Sequence, residues 1–208
     1  MRKIIAVVLA VTGMLSLTAC GDMTDDNKSA ENRAEDAYSS FLSGDRTLLN
    51  SAQTETWWIP DFHDESMIYE YAYLDLNGDG IEELLIQLEE MPGGYNGVFH
   101  FADDQLFCWN SDAVEMNCRD YPLHDGTMVR QYNYSGSCSY TIFRYLENGE
   151  TEDATSLLVR EEAMSEDDSE TYPYYEIDGK EVDQVVFEEQ LQALVTDRML
   201  ERSAWKTL

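Results

Sequence analysis

The chain has 208 residues, with 42 Asp and Glu against 13 Lys and Arg, a formal charge of −29 at pH 7. A surface this acidic repels polyanions, which excludes nucleic acid and anionic lipid surfaces as partners. With 43% hydrophobic and 12% aromatic residues, the chain has apolar material enough for the core of one domain.

Met1-Arg2-Lys3 is a basic start, and Ile4 to Leu17 is nearly all apolar. That run is short for a bilayer span, and no later stretch is apolar enough to attempt one. A basic start, an apolar centre and small residues ahead of a cut read as a secretory signal. The run ends in Leu17-Thr18-Ala19-Cys20, which resembles the lipobox of bacterial lipoproteins, Leu-x-[Ala/Gly]-Cys. The resemblance implies removal of residues 1–19 and a diacylglyceryl group on the Cys20 sulfur. Cys20 then becomes the first residue of a protein anchored by lipid to the cell membrane, on the extracytoplasmic side. A plain secreted protein cut after Ala19 is the nearer rival reading, and the cysteine argues against it. A buried N-terminal helix is the other, and the basic start and the length of the run argue against that.

Gly21 to Asn32 is polar and small, so residues 20–32 read as a lipidated Cys20 and a flexible tether. Residues 33–208 are then one extracytoplasmic domain. Ala34, Ala37, Tyr38, Phe41 and Leu42 recur at helical spacing and Gly44 stops the pattern, which predicts a helix from about Ala30 to Leu42.

From Met67 the pattern changes to strands. Met67–Leu74 and Glu83–Leu88 flank a Gly/Asp-rich loop. Further strand-like runs are separated by Ala102-Asp103-Asp104, His124-Asp125-Gly126, Glu147-Asn148-Gly149 and Ile177-Asp178-Gly179. Such sequences favour hairpin turns because their central residues tolerate positive φ. The expectation is one antiparallel meander of about six to eight strands, with Gly93–Gly97 as a loop. Glu161–Glu170 is charged and poor in apolar residues, and reads as an exposed loop. Asp183 is placed to cap a C-terminal helix. Val186, Phe187, Gln190, Leu191, Leu194, Val195 and Met199 form its largely apolar stripe, with Arg198, Arg202 and Lys206 at its end. The fold class is therefore α+β: an N-terminal helix, a mainly antiparallel sheet, and a C-terminal helix packed on that sheet.

The loop Asp75-Leu76-Asn77-Gly78-Asp79-Gly80-Ile81-Glu82-Glu83 carries the chemistry. Oxygen side chains at positions one, three and five, then Gly at six, are spaced to wrap a hard cation, and Ca²⁺ takes about six to eight oxygens. The predicted ligands are Asp75, Asn77, Asp79, the carbonyl of Ile81, and Glu83 directly or through water. An EF-hand needs a bidentate Glu at position twelve, where this chain has Ile86, and its flanks are helices rather than strands. The loop more closely resembles the Asp-x-[Asp/Asn]-x-Asp-Gly-x-x-[Asp/Glu] hairpin of integrin-α FG-GAP and related extracellular calcium repeats. It is also similar to a pattern in small lipoproteins of uncharacterised function from Gram-positive bacteria. That resemblance implies a helix before the loop and a β-meander after it. A metal-free turn uses the same residue types, but an acid at position nine is more than a turn needs. The ion is expected to act as a structural clip, since nothing nearby reads as a nucleophile.

Other constellations are incomplete. His63, His100 and His124 are scattered, with no zinc spacing, and there is no Gly-x-Ser-x-Gly elbow, P-loop or dinucleotide fingerprint. Gly136-Ser137-Cys138 has a nucleophile without an identifiable base. Trp57-Trp58 and Tyr172, Tyr174 and Tyr175 suit either a buried sheet or a stacking surface. With Cys20 lipidated, Cys108, Cys118 and Cys138 are odd in number. A Cys108–Cys118 bridge and three free thiols are both open. The function expected is a non-catalytic extracytoplasmic domain, binding a ligand or protein partner at the cell envelope. An enzyme acting on cell-wall or environmental polymers is the alternative.

Overall fold

Polar/apolar alternation with a period of two sorts the strands of this chain into two sheets with three separate cores. The computed structural model describes residues 23–54, 57–92, 95–113, 117–163 and 171–208. In chain order the elements are helix α1 (Met23–Leu42), the single turn α2 (Ser51–Thr54), strands β1 (Tyr69–Leu74), β2 (Glu83–Leu88), β3 (Tyr95–Ala102), β4 (Gln105–Ala113), β5 (Cys118–Pro122), β6 (Met128–Tyr134), β7 (Ser137–Tyr145), β8 (Thr151–Ala163), β9 (Thr171–Ile177) and β10 (Lys180–Val182), helix α3 (Gln184–Leu194) and strand β11 (Lys206–Thr207). The first sheet has the order β11-β1-β2-β3-β4 and the second β10-β9-β8-β7-β6-β5, antiparallel throughout. The chain is α+β, as its sequence predicts. The single meander of six to eight strands is corrected to eleven strands in two sheets among the described residues.

β2 shows how the layers arise. Leu84, Ile86 and Leu88 point to one side, with Ala34, Ala37, Tyr38 and Phe41 of α1. Leu85 points to the other, with Val98 and Trp109 of the first sheet and Met128, Phe143 and Tyr145 of the second. The far face of the second sheet holds Val129, Ile142 and Leu157 against Phe187 and Val195 at α3. The order of layers is α1, first sheet, second sheet, α3.

α1 begins at Met23, not at about Ala30, so much of the expected tether is helical. No Gly or Pro interrupts Met23–Leu42, and the packed turns from Ala34 onward supply the nucleus from which the helix extends backward. It ends in a Schellman motif at Gly44 (φ +97°): Gly44 N–H donates to Phe41 O and Asp45 N–H to Ser40 O, both at 3.0 Å. Tyr95, Asn96 and Gly97, expected in a loop, belong to β3. A Cβ on Gly97 would meet the Phe99 ring at 2.9 Å, so this glycine serves close packing rather than a turn. The charged stretch after Ala163 lies outside the described residues up to 170, whereas Glu161 and Glu162 are in β8.

α3 is capped as expected, with Val186 N–H donating to Asp183 Oδ1 at 2.9 Å, but it stops at Leu194. The second sheet competes for the chain there. Leu123 bridges to Met199, and Leu200 N–H donates to Pro122 O at 3.0 Å. Arg198 pairs with Asp125, Arg202 with the fully buried Glu70, and Lys206 enters β11 over the rings of Tyr71 and Tyr73. The three cations expected at a helix end instead fasten a C-terminal strap that runs from β5 to β1.

Cys108, Cys118 and Cys138 are not bridged to one another. Cys118 pairs with Tyr132 and Tyr132 with Ser139, so Cys138 lies on the opposite face of the second sheet, and β6 separates the two. Cys108 is buried in the first sheet beneath α1.

Candidate metal centre

The β1–β2 connection takes its shape from its own polar side chains. Asp75 Oδ1 accepts from Gly78 N at 2.7 Å and Oδ2 from Gly80 N at 3.0 Å. Asn77 Oδ1 accepts from Asp79 N at 2.8 Å, and Asp79 Oδ1 from Ile81 N at 2.7 Å. Asn77 Nδ2 donates to Asp79 Oδ2 at 2.9 Å. Gly78 (φ +79°) and Gly80 (φ +86°) sit in the left-handed region with open space where a Cβ would be. Glycine is required here by dihedral angle, not by crowding.

The foot of the loop is anchored in the protein interior. Leu76, at position two, is buried among Trp109, Met128, Phe143 and Tyr145 between the sheets. A Cβ on Gly126, in the β5–β6 turn, would collide with the Asp75 carbonyl oxygen, so the second sheet touches the loop directly. Glu83 opens β2 with a fully buried side chain. Its Oε2 accepts from Leu76 N at 2.6 Å, and its Oε1 lies 2.8 Å from His100 Nδ1. Burial pushes the Glu83 carboxyl up from the usual range, while the bonds from His100 and Leu76 pull it back. His100 stacks on Trp109 at 4.4 Å and 15°, and Trp109 on Tyr145 of the second sheet at 5.3 Å and 22°.

Among the five ligand residues expected, the structure brings together the donor atoms of Asp79 and Glu83 and adds His100, all within 4.8 Å of one another. The side-chain oxygens of Asp75 and Asn77, like those of Asp79, also accept hydrogen bonds from within the loop. Ile81 is half-buried against the α1-side core, where its N–H serves Asp79. His100 was missed because no His-containing motif includes it. Its place follows from register: Leu84 pairs with Phe99, so the next step along the ladder sets Glu83 beside His100. Cys20 lies outside the described residues.

α1 borders the same loop. A cleft of about 570 Å³ lies between them, lined by Glu31, Glu35, Tyr38, Tyr73, Asp75 and Glu82. Tyr38 donates to Glu82 O at 3.0 Å and stacks on Tyr73 at 5.7 Å. Burial, with Tyr71, Glu35 and Glu82 nearby, pushes the Tyr73 hydroxyl up to about 12. Elsewhere Trp58 and Tyr172 are exposed, while Trp57 packs against the α1-side core and Tyr175 against Phe187.

No protein-family model matches this chain, and neither a curated protein nor a solved structure matches it significantly.

Proposed function

We propose that this chain is a lipid-anchored extracytoplasmic protein, a non-catalytic ligand- or partner-binding domain whose β1–β2 loop holds a structural Ca²⁺. The observation that carries the metal reading is the fully buried Glu83 carboxylate beside Asp79 at the foot of the loop. Leu76 N–H and His100 take one acceptor position on each Glu83 oxygen, and the positions left over, with an Asp79 carboxylate oxygen within 4.8 Å, suit a cation. The donor set fits a hard cation: Asp75, Asn77, Asp79 and Glu83 all offer oxygen. An ion here would clip the first sheet to the second, since Leu76, Gly126 and the His100–Trp109–Tyr145 stack converge on the loop. The non-catalytic reading is supported by how the buried reactive groups are used. His100 serves Glu83, the Ser111 hydroxyl donates to the Trp58 carbonyl at 2.5 Å, and burial pushes the Cys108 thiol up to about 12. The anchor reading rests on Leu17–Cys20.

Thermal unfolding with chelator and with excess Ca²⁺ tests the metal. A ligand that binds only the folded state stabilises it by about 2.7 kcal/mol at a hundredfold excess over Kd. The wild type should gain several degrees, and Asp75→Ala and Asp79→Ala almost none. Mg²⁺ should substitute poorly, because it demands tighter octahedral geometry. Equal melting of all three proteins with and without calcium would reduce the loop to a turn. Labelled fatty acid fed to a lipoprotein-processing bacterium tests the anchor. Uptake by the Cys20→Ala chain would refute it.

A further inference from the structure

We infer that His100 is the positioning residue that fixes Glu83 as the ninth-position ligand of the calcium site, an inference resting on the loop reading above. An ionised carboxylate has about four acceptor positions. Glu83 spends one on each oxygen, on Leu76 N–H at 2.6 Å and on His100 Nδ1–H at 2.8 Å. Held from both sides, the group presents its remaining lone pairs in one orientation. Leu76 N–H belongs to the loop itself, at the foot that packs between the sheets. His100 does not: it stands on β3, the strand paired with β2, and its ring lies flat on Trp109. Trp109 is in turn fixed by Tyr145 and by Gly149, where a Cβ would meet the indole Cδ1 at 2.5 Å. The ninth ligand is thus oriented on one oxygen by the foot of the loop and on the other from the second sheet, through stacked rings that end at His100. Partners that orient a metal's ligands typically govern affinity by about 10- to 100-fold.

The test is calcium titration of the full chain by calorimetry, with melting measured in chelator alongside. His100→Phe keeps a flat ring for Trp109 and removes the Nδ1 donor. It should weaken Ca²⁺ binding by about 10- to 100-fold. His100→Asn places an amide N–H where Nδ1 stands, and should recover binding to within a few-fold of wild type. Glu83→Gln should weaken binding as well, and adding His100→Phe to it should weaken binding no further. A merely structural histidine would lower the chelator melting point in both His100 variants and leave the calcium Kd alone. If His100→Phe does not fold, His100→Gln serves in its place, because its longer arm carries the amide away from the Nδ1 position. A wild-type chain that takes up no calcium overturns both this inference and the loop reading. A wild type that binds, with His100→Phe or His100→Gln binding equally well, overturns this inference alone.

Discussion

Two hairpins in this molecule are built from the same residue types and behave differently. The β9–β10 turn is Asp178-Gly179, with both residues in the left-handed region at φ +49° and +74°. Its Asp178 Oδ1 accepts from Ser156 N at 2.8 Å, and a Cβ on Gly179 would meet nothing. The turn reverses the chain and ends there. The β1–β2 loop also uses Asp, Asn and Gly, but turns its carboxylates inward onto its own amides, sends Leu76 between the sheets and closes on a buried carboxylate. Composition does not separate the two. Spacing does, and so does what lies beneath the loop.

The largest test of that contrast is Leu76→Ala. Leu76 fills the inter-sheet core, so truncation should cost about 2–5 kcal/mol in denaturant unfolding. A loss below 1 kcal/mol, on the order of one surface hydrogen bond, would mean the loop is not anchored between the sheets. Next come Gly80→Ala and Gly179→Ala. Each forces a side chain into a left-handed conformation at roughly 1–2 kcal/mol. The two should fall alike in chelator, but only Gly80→Ala should also lose the calcium-dependent gain. Asp178→Ala is smaller, about 1 kcal/mol for the bond from Ser156 N. It should keep the full calcium increment, and loss of that increment would show that the two hairpins are not independent. The smallest effect is expected from starting the chain at Asn32 rather than Gly21. Among the α1 side chains described, burial begins at Ala34, so the thermal midpoint and the calcium increment should hardly move. A large fall would mean the first turns of α1 dock on the domain.

Read from the chain alone, the loop residues, the α1 stripe, the Asp183 cap and the hairpin turns at Asp103-Asp104, Gly126, Gly149 and Asp178-Gly179 were legible, because each is a local matter of dihedral angle, spacing or capping. The start of α1 and the end of α3 were not. The first extends past its packed face because nothing local stops it, and the second is cut short by hydrogen bonds to β5.

The division of labour follows from range. The sequence by itself determined the acidic composition, the α+β class and the spacing of oxygen-bearing side chains along the β1–β2 loop, since composition and short spacings specify these without reference to distant residues. Only the tertiary structure decided that the strands split into two sheets, that Cys108, Cys118 and Cys138 stand unbridged to one another, that a C-terminal strap replaces the last helical turns, and that His100 stands beside Glu83. Each of these is a pairing between residues far apart in the chain. Such pairings depend on which faces bury together, and no local propensity encodes that.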